Sequence, residues 1–166
     1  WNDGEDIKNY KLKMRENNPG FNVGIAALND IFNKGLTYSI FGFRNFGIRY
    51  KDYGFLFDVS GASIFTDEKN EFYLLGFLAS KVSFAFLSAI APTVNFQAGD
   101  ISSVPYIYNE KYREEIDKLV KRNIELSKED WDSFETSWDF TRHPLINGEN
   151  TVEEAYKKWE KICTDR

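Results

Sequence analysis

Cysteine and histidine are almost missing: Cys163 is the one thiol of the chain and His143 the one imidazole. A lone cysteine cannot close an internal disulfide, and the two together fall short of the Cys/His ligand set of a usual zinc site. A reducing, cytoplasmic compartment is the expectation. Proline is also scarce, at positions 19, 92, 105 and 144 and nowhere doubled. No glycine-rich nucleotide loop is present, because FGFRNFG at 41–47 has two glycines without the spacing that cradles a phosphate or pyrophosphate. His143 precedes Pro144 and is not matched by a Ser or Cys nucleophile motif, which removes a catalytic triad from consideration. Trp1 is followed by no basic stretch and no small-residue cleavage site, so nothing resembles a signal peptide, and the chain reads as a piece of a longer one. The one long apolar run, 72–91, approaches the roughly 20 residues that cross a bilayer. Lys81 near its centre and the lack of flanking basic residues instead predict a buried helix.

Aromatics are abundant, with 15 Phe, 9 Tyr and 4 Trp in 166 residues. That content predicts an aromatic core, an aromatic binding surface, or both. The net charge of −5 is unevenly distributed. Residues 1–51 carry eight Lys/Arg against five Asp/Glu, 52–108 two against six, and 109–166 eleven against fifteen. Affinity for a phosphate backbone comes mostly from clustered cations, so only the N-terminal third suits a nucleic-acid partner on charge grounds. The acidic pairs Glu114-Glu115 and Asp130/Asp132 lie in charge-rich helical sequence and read as solvated faces.

Along the chain, DGEDIKNYKLKMREN at 3–17 places acids before bases, which suits a helix dipole, and Asn18-Pro19-Gly20 stops it. The segments 36–43, 46–50 and 55–65 are rich in aromatic and β-branched residues and punctuated by glycine, predicting three strands of a mainly antiparallel sheet. Period two puts Arg49 and Lys51 on one face of the second strand, opposite Phe46, Ile48 and Tyr50. The run 71–91 is apolar nearly all round and predicts one core helix ended by Pro92. A polar strand or loop at 94–97 then leads to 101–107, which Pro105 confines to a sheet edge. Residues 110–127 form a charged amphipathic helix, with Ser127 as N-cap of the next one; 137–150 is irregular; Thr151 caps a last helix to about 163. The expected architecture is α/β of the α+β kind, with a twisted, mainly antiparallel sheet packed on a buried helix and a helical tail behind it. Its divisions are an N-terminal helix and connector (1–33), an α/β domain (34–108) and the tail (109–166).

The set Lys34, Thr37, Ser39, Arg44, Asn45, Arg49 and Lys51 has the chemistry of DNA recognition. Lysine and arginine neutralise phosphates or bond guanine edges, asparagine can read adenine, and hydroxyls serve either role. Asn95 and Gln97 alternate with Val94 and Phe96, and their amides suit base reading or the satisfaction of buried backbone groups. The same residues also suit a solvated sheet face, and side-chain chemistry leaves both readings open.

Three blocks carry a resemblance. They are KGLTYS at 34–39 with FGIRY at 46–50 and GFLFD at 54–58; LLGFLASK at 74–81 with PTVNFQAGDI at 92–101 and Val104-Pro105; and SKEDWDSFETSWDF at 127–140. Together they resemble the region after the catalytic domain in adenine-specific DNA methyltransferases of BREX-type phage-defence systems and related restriction-modification enzymes. The second block is also similar to the end of target-recognition domains in restriction specificity proteins.

The resemblance implies a parent enzyme that moves a methyl group from S-adenosylmethionine to the N6 of a flipped-out adenine. Such enzymes carry an Asn/Asp-Pro-Pro-Tyr/Phe motif and a glycine-rich cofactor loop, and neither occurs in these residues. The expectation is therefore a target-recognition module without catalytic residues, metal or cofactor of its own. Its partners would be double-stranded DNA, the remaining domains of the parent and other subunits of the defence system, with no membrane. Lys34, Arg44, Arg49 and Lys51 would track phosphates, and Thr37, Ser39, Asn45, Asn95 and Gln97 would reach base edges. The competing expectation is a docking module anchored by Trp131, Trp138 and Trp159.

Overall fold

A computed structural model describes residues 2–19, 30–146 and 148–165. Most of the connector expected before residue 34 lies outside the described residues. The chain divides into two compact units, Trp1–Asn109 and Glu110–Arg166.

In the first unit, α1 (Glu5–Asn17) has Glu5 and Asp6 in its first turn and Arg15 in its last, the distribution its dipole favours. Three short strands follow: β1 (Gly35–Ser39), β2 (Ile48–Lys51) and β3 (Gly61–Ile64). They pair antiparallel in the order β2-β1-β3, as a mainly antiparallel sheet requires. In this register Leu36 stands between Tyr50 and Ile64, and Tyr38 between Ile48 and Ala62, which collects the apolar side chains on one face. Thr37 stands between Arg49 and Ser63, and Gly35 opposite Lys51, on the other face. An alanine methyl at Gly35 would lie 2.7 Å from the Ile64 carbonyl oxygen, so only glycine allows this close pairing.

The apolar face is covered by α2 (Glu71–Leu78), which contacts both β1 and β2 and stacks Phe72 on Tyr50 with ring centroids 6.0 Å apart. Leu36 and Leu87 are completely buried, and Phe96 is 2% exposed. Edge-to-face and tilted contacts then tie Tyr38 to Phe46, Phe46 to Phe96 and Phe96 to Phe84 at centroid distances of 5.3, 5.6 and 6.3 Å. This aromatic chain is the centre of the core.

The single helix expected over 71–91 is two. Ser80 takes an extended conformation and its Oγ accepts the Ser83 N–H at 3.1 Å, which starts α3 (Lys81–Ile90) afresh. The two helices meet at a bend of 66°, and no single helix among the described residues is long and apolar enough to cross a membrane. Lys81, in the middle of the apolar run, is thereby exposed at a helix start.

The expected edge strand at 101–107 is also corrected. Gln97 N–H donates to Asp100 Oδ2 at 2.8 Å, and α4 (Ala98–Ser102) takes up the first part of that segment. Beyond Pro105 the backbone joins no strand, and Tyr106 and Tyr108 pack their rings against Tyr73 at 6.0 and 4.9 Å. The Tyr73 hydroxyl accepts the Asn109 N–H at 3.1 Å.

The second unit begins with a 3-10 turn at Glu110–Tyr112 and continues into α5 (Arg113–Trp131), which runs through the break expected at Ser127. The Ser127 hydroxyl donates to the Asn123 carbonyl at 2.8 Å, so it bonds back along the helix instead of capping a new one. A series of turns follows, held by Lys128 Nζ, which bridges Asp132 and Asp139 at 2.7 and 2.6 Å. Both carboxylates raise the Lys128 pKa, and Asp132 is lowered by its bonds from Lys128 and from the Ser137 hydroxyl. The last helix, α6 (Val152–Asp165), is capped as expected, the Glu154 N–H donating to Thr151 Oγ1 at 3.2 Å.

Candidate nucleic-acid interface

β1 was expected to run to residue 43, but it ends at Ser39, and the chain from 40 to 47 turns away to pair elsewhere. Phe41 forms an isolated antiparallel bridge with Asn95, flanked by Gly42 N–H donating to the Val94 carbonyl at 2.9 Å and Phe96 N–H donating to the Ile40 carbonyl at 2.7 Å. Ser39 N–H donates to the Gly47 carbonyl at 3.1 Å and closes the base of the turn. A methyl group on Gly42 would lie 2.6 Å from the Asn45 carbonyl oxygen and 3.0 Å from the Phe96 ring, so the turn sits directly on the core. The two polar segments 44–45 and 95–97, distant in sequence, are thereby brought to one rim.

On that rim Arg44, Asn45, Asn95 and Gln97 are exposed. Ser39 and Arg49 are exposed on the adjoining sheet, Arg49 on the edge strand opposite Thr37. Neither arginine has an ion-pair partner among the described residues. No Asp or Glu occurs in 36–51 or 91–99, and the first acid beyond, Asp100, is tied to the Gln97 N–H. A carboxylate-free rim with two unpaired guanidiniums and three amides offers cations for phosphates and donor–acceptor pairs for base edges.

The other candidates are engaged within the protein. The Thr37 hydroxyl donates to the Ala62 carbonyl at 3.1 Å. Lys34, just before the opposite end of β1, is paired with Glu68 and lies 5.9 Å from the Tyr53 ring centroid. Its pKa is raised by the hydrogen bond to Glu68, whose own pKa is lowered by the same bond. Nearby Glu71 is buried at the start of α2, and burial raises its pKa against the opposing effect of Lys34.

Lys51 obeys the expected alternation but not the exposure expected with it. It shares a sheet face with Arg49, yet only 6% of it reaches solvent, because Phe57 and Phe65 close over that end. Its ammonium lies 5.1 and 5.0 Å from their ring centroids and has no hydrogen-bond partner among the described residues. Burial lowers its pKa, opposed by the charge of Asp30.

Two prominent rim residues escaped the sequence reading. Phe41 and Phe43 are 59% and 81% exposed on the turn, whereas the sequence expectation named neither as a site residue. The Phe-Gly-Phe spacing around Gly42 was the available signal. Among the described residues no three His, Cys, Asp or Glu side chains are grouped as metal ligands.

In sequence the chain is similar, along most of its length, to a segment of two adenine-specific methyltransferases. It is 32% identical over 161 residues to adenine-specific methyltransferase BrxX of Escherichia coli O9:H4 (strain HS), covering 95% of this chain and 12% of the relative. It is 34% identical over 142 residues to adenine-specific methyltransferase PglX of Lacticaseibacillus casei (strain Zhang), covering 81% of this chain and 12% of the relative. The chain thus spans about 12% of the length of these curated relatives. No family model matches it.

Proposed function

We propose that this chain is the DNA target-recognition segment of an S-adenosylmethionine-dependent N6-adenine DNA methyltransferase of phage defence or restriction-modification, itself without catalytic residues or cofactor. The observation that carries the reading is the backbone pairing of 40–42 with 94–96, which unites Arg44, Asn45, Asn95 and Gln97 on one rim free of carboxylates. The relationship to adenine-specific methyltransferases supports the same reading. Arg44 and Arg49 would neutralise phosphates, with Ser39, Asn45, Asn95 and Gln97 at base edges. Thr37, Lys34 and Lys51, engaged with Ala62, Glu68 and the Phe57 and Phe65 rings, would support the sheet instead of touching DNA. The cofactor and the methyl transfer would belong to the rest of the parent, which together with duplex DNA makes up the partner set; no membrane enters this reading.

Titration of the chain with duplex DNA at low and high salt tests this. Binding should weaken with salt, and Arg49→Ala should weaken it further while reducing the slope of log K against log salt by about 0.9, the contribution of one phosphate. Unchanged affinity and slope would remove Arg49 from the interface.

A second reading is favoured by one observation on the helical unit. Trp138 is fully exposed, with Trp131 and Phe134 more than half exposed, whereas Trp159 is half-buried beside Tyr156. The unit would then dock on other domains of the parent or on defence-system subunits through Trp131 and Trp138. Absence of DNA binding even at low salt would favour it.

A further inference from the structure

We propose that Phe43, with Phe41 beside it, is an apolar wedge that enters the base stack of duplex DNA. The inference rests on the DNA-recognition reading, but its own ground is separate: the exposure and fixation of two rings that base-edge chemistry does not use. Phe43 is 81% exposed and Phe41 59%, while Phe46, three residues on, and Phe96, on the paired segment, are 5% and 2% exposed. The backbone that carries the exposed pair cannot fold back to cover them. It is held on either side of Phe41 by the Gly42–Val94 and Phe96–Ile40 hydrogen bonds, the base of the turn is closed by Ser39 N–H on the Gly47 carbonyl, and a side chain at Gly42 would meet the Asn45 carbonyl and the Phe96 ring.

The surroundings select the partner. Arg44 follows Phe43 directly, amides stand at 45, 95 and 97, and neither segment of the rim contains an acid. An apolar protein surface would satisfy the rings and leave the guanidinium and amides without counterparts. A duplex offers both needs within one step: an apolar base stack for the rings, with phosphates and base edges beside it for Arg44 and the amides. Aromatic residues inserted at a step partly unstack it and bend the helix, and a rigid mount keeps the ordering cost of insertion low.

The test uses closed-circle topology, which needs no knowledge of the recognised sequence. A nicked plasmid is saturated with the 166-residue chain, sealed with ligase, and its linking number read after protein removal. The wild-type chain should lower the linking number in proportion to the amount bound. The Phe41→Ala/Phe43→Ala double variant should abolish that shift and weaken binding on the order of tenfold, the effect of losing an aromatic contact to a base. Phe43→Trp should keep the shift, and circular dichroism of both variants should match wild type because the rings are outside the core. Arg44→Ala should lower affinity and salt dependence but retain the shift at saturation. Salt-dependent binding with no linking-number change, or a double variant that binds and unwinds like wild type, would overturn the wedge and leave DNA recognition standing. No binding at low salt would overturn both and assign the two rings to a protein partner.

Discussion

The two units of this chain are held together by different forces. In residues 1–109 a continuous set of apolar and aromatic side chains, from Leu36 through Tyr38, Phe46 and Phe96 to Leu87, is closed to solvent. Among the described residues of 110–166 the buried ones are Val120, Ala155 and Ser137, and the turns between the helices are tied by exposed ion pairs such as Lys128 with Asp132 and Asp139. Burial of apolar area is worth far more than exposed pairing, whose contribution is commonly about 1 kcal/mol or less. The first unit therefore has the means to hold a rim at fixed geometry, and the second has the means to adapt to a surface.

The largest expected effect breaks the first unit. Phe96→Ala removes a ring that joins Phe46 and Phe84 and should cost about 3–5 kcal/mol, whereas Val120→Ala in the second unit should cost no more than about 1–2 kcal/mol. Urea denaturation, with amide hydrogen exchange assigning the loss to one unit, measures both. Equal costs would erase the contrast.

Lys51→Met sharpens the contrast from inside the first unit. An ammonium buried without a hydrogen-bond partner opposes folding, so its replacement by an apolar chain of similar length should raise stability by on the order of 1 kcal/mol at neutral pH. Because burial lowers the folded-state pKa, the unfolded chain binds more protons between that lowered value and the ordinary 10.5. Wild-type stability should accordingly rise with pH across this interval, and the advantage of the methionine variant should shrink. A variant no more stable than wild type at pH 7 would mean that the two rings compensate the charge fully.

The smallest effect concerns the second unit. Lys128→Ala deletes two exposed ion pairs and should lower the denaturation midpoint only slightly, with the difference vanishing in high salt. A loss comparable with that of Phe96→Ala would mean that the pairs, not the helix packing, hold the turns.

Much of the fold was legible from local signals. The acid-to-base order of α1, the Thr151 cap of α6 and the strand centres at 36–38 and 48–50 follow from residue chemistry within a few positions, whereas of the strand expected over 55–65 only 61–64 pairs. The failures share a non-local cause. Ser80 and Ser127 both stand directly before a lysine in helix-forming sequence, yet one caps and the other bonds back to Asn123. β1 stops at Ser39 because Phe41 pairs with Asn95, more than fifty residues away. Lys51 is covered because Phe57 and Phe65 converge on it, which alternation along β2 cannot reveal. The site residues at 44–45 and 95–97 were recognisable by type, but their assembly on one rim required that long-range bridge.

The bridge between Phe41 and Asn95 has a consequence for how such a chain can diversify. Inward positions 46 and 96 are locked in the core and Gly42 tolerates no side chain, whereas the intervening positions 41, 43–45, 95 and 97 bear almost no share of the packing. Substitutions at 41, 43–45 and 95 should leave the fold free energy nearly unchanged, while 97 also serves as the N-cap of α4. If the rim reads DNA as proposed, a lineage could exchange one recognised sequence for another by changing a few surface letters, with the scaffold inherited intact.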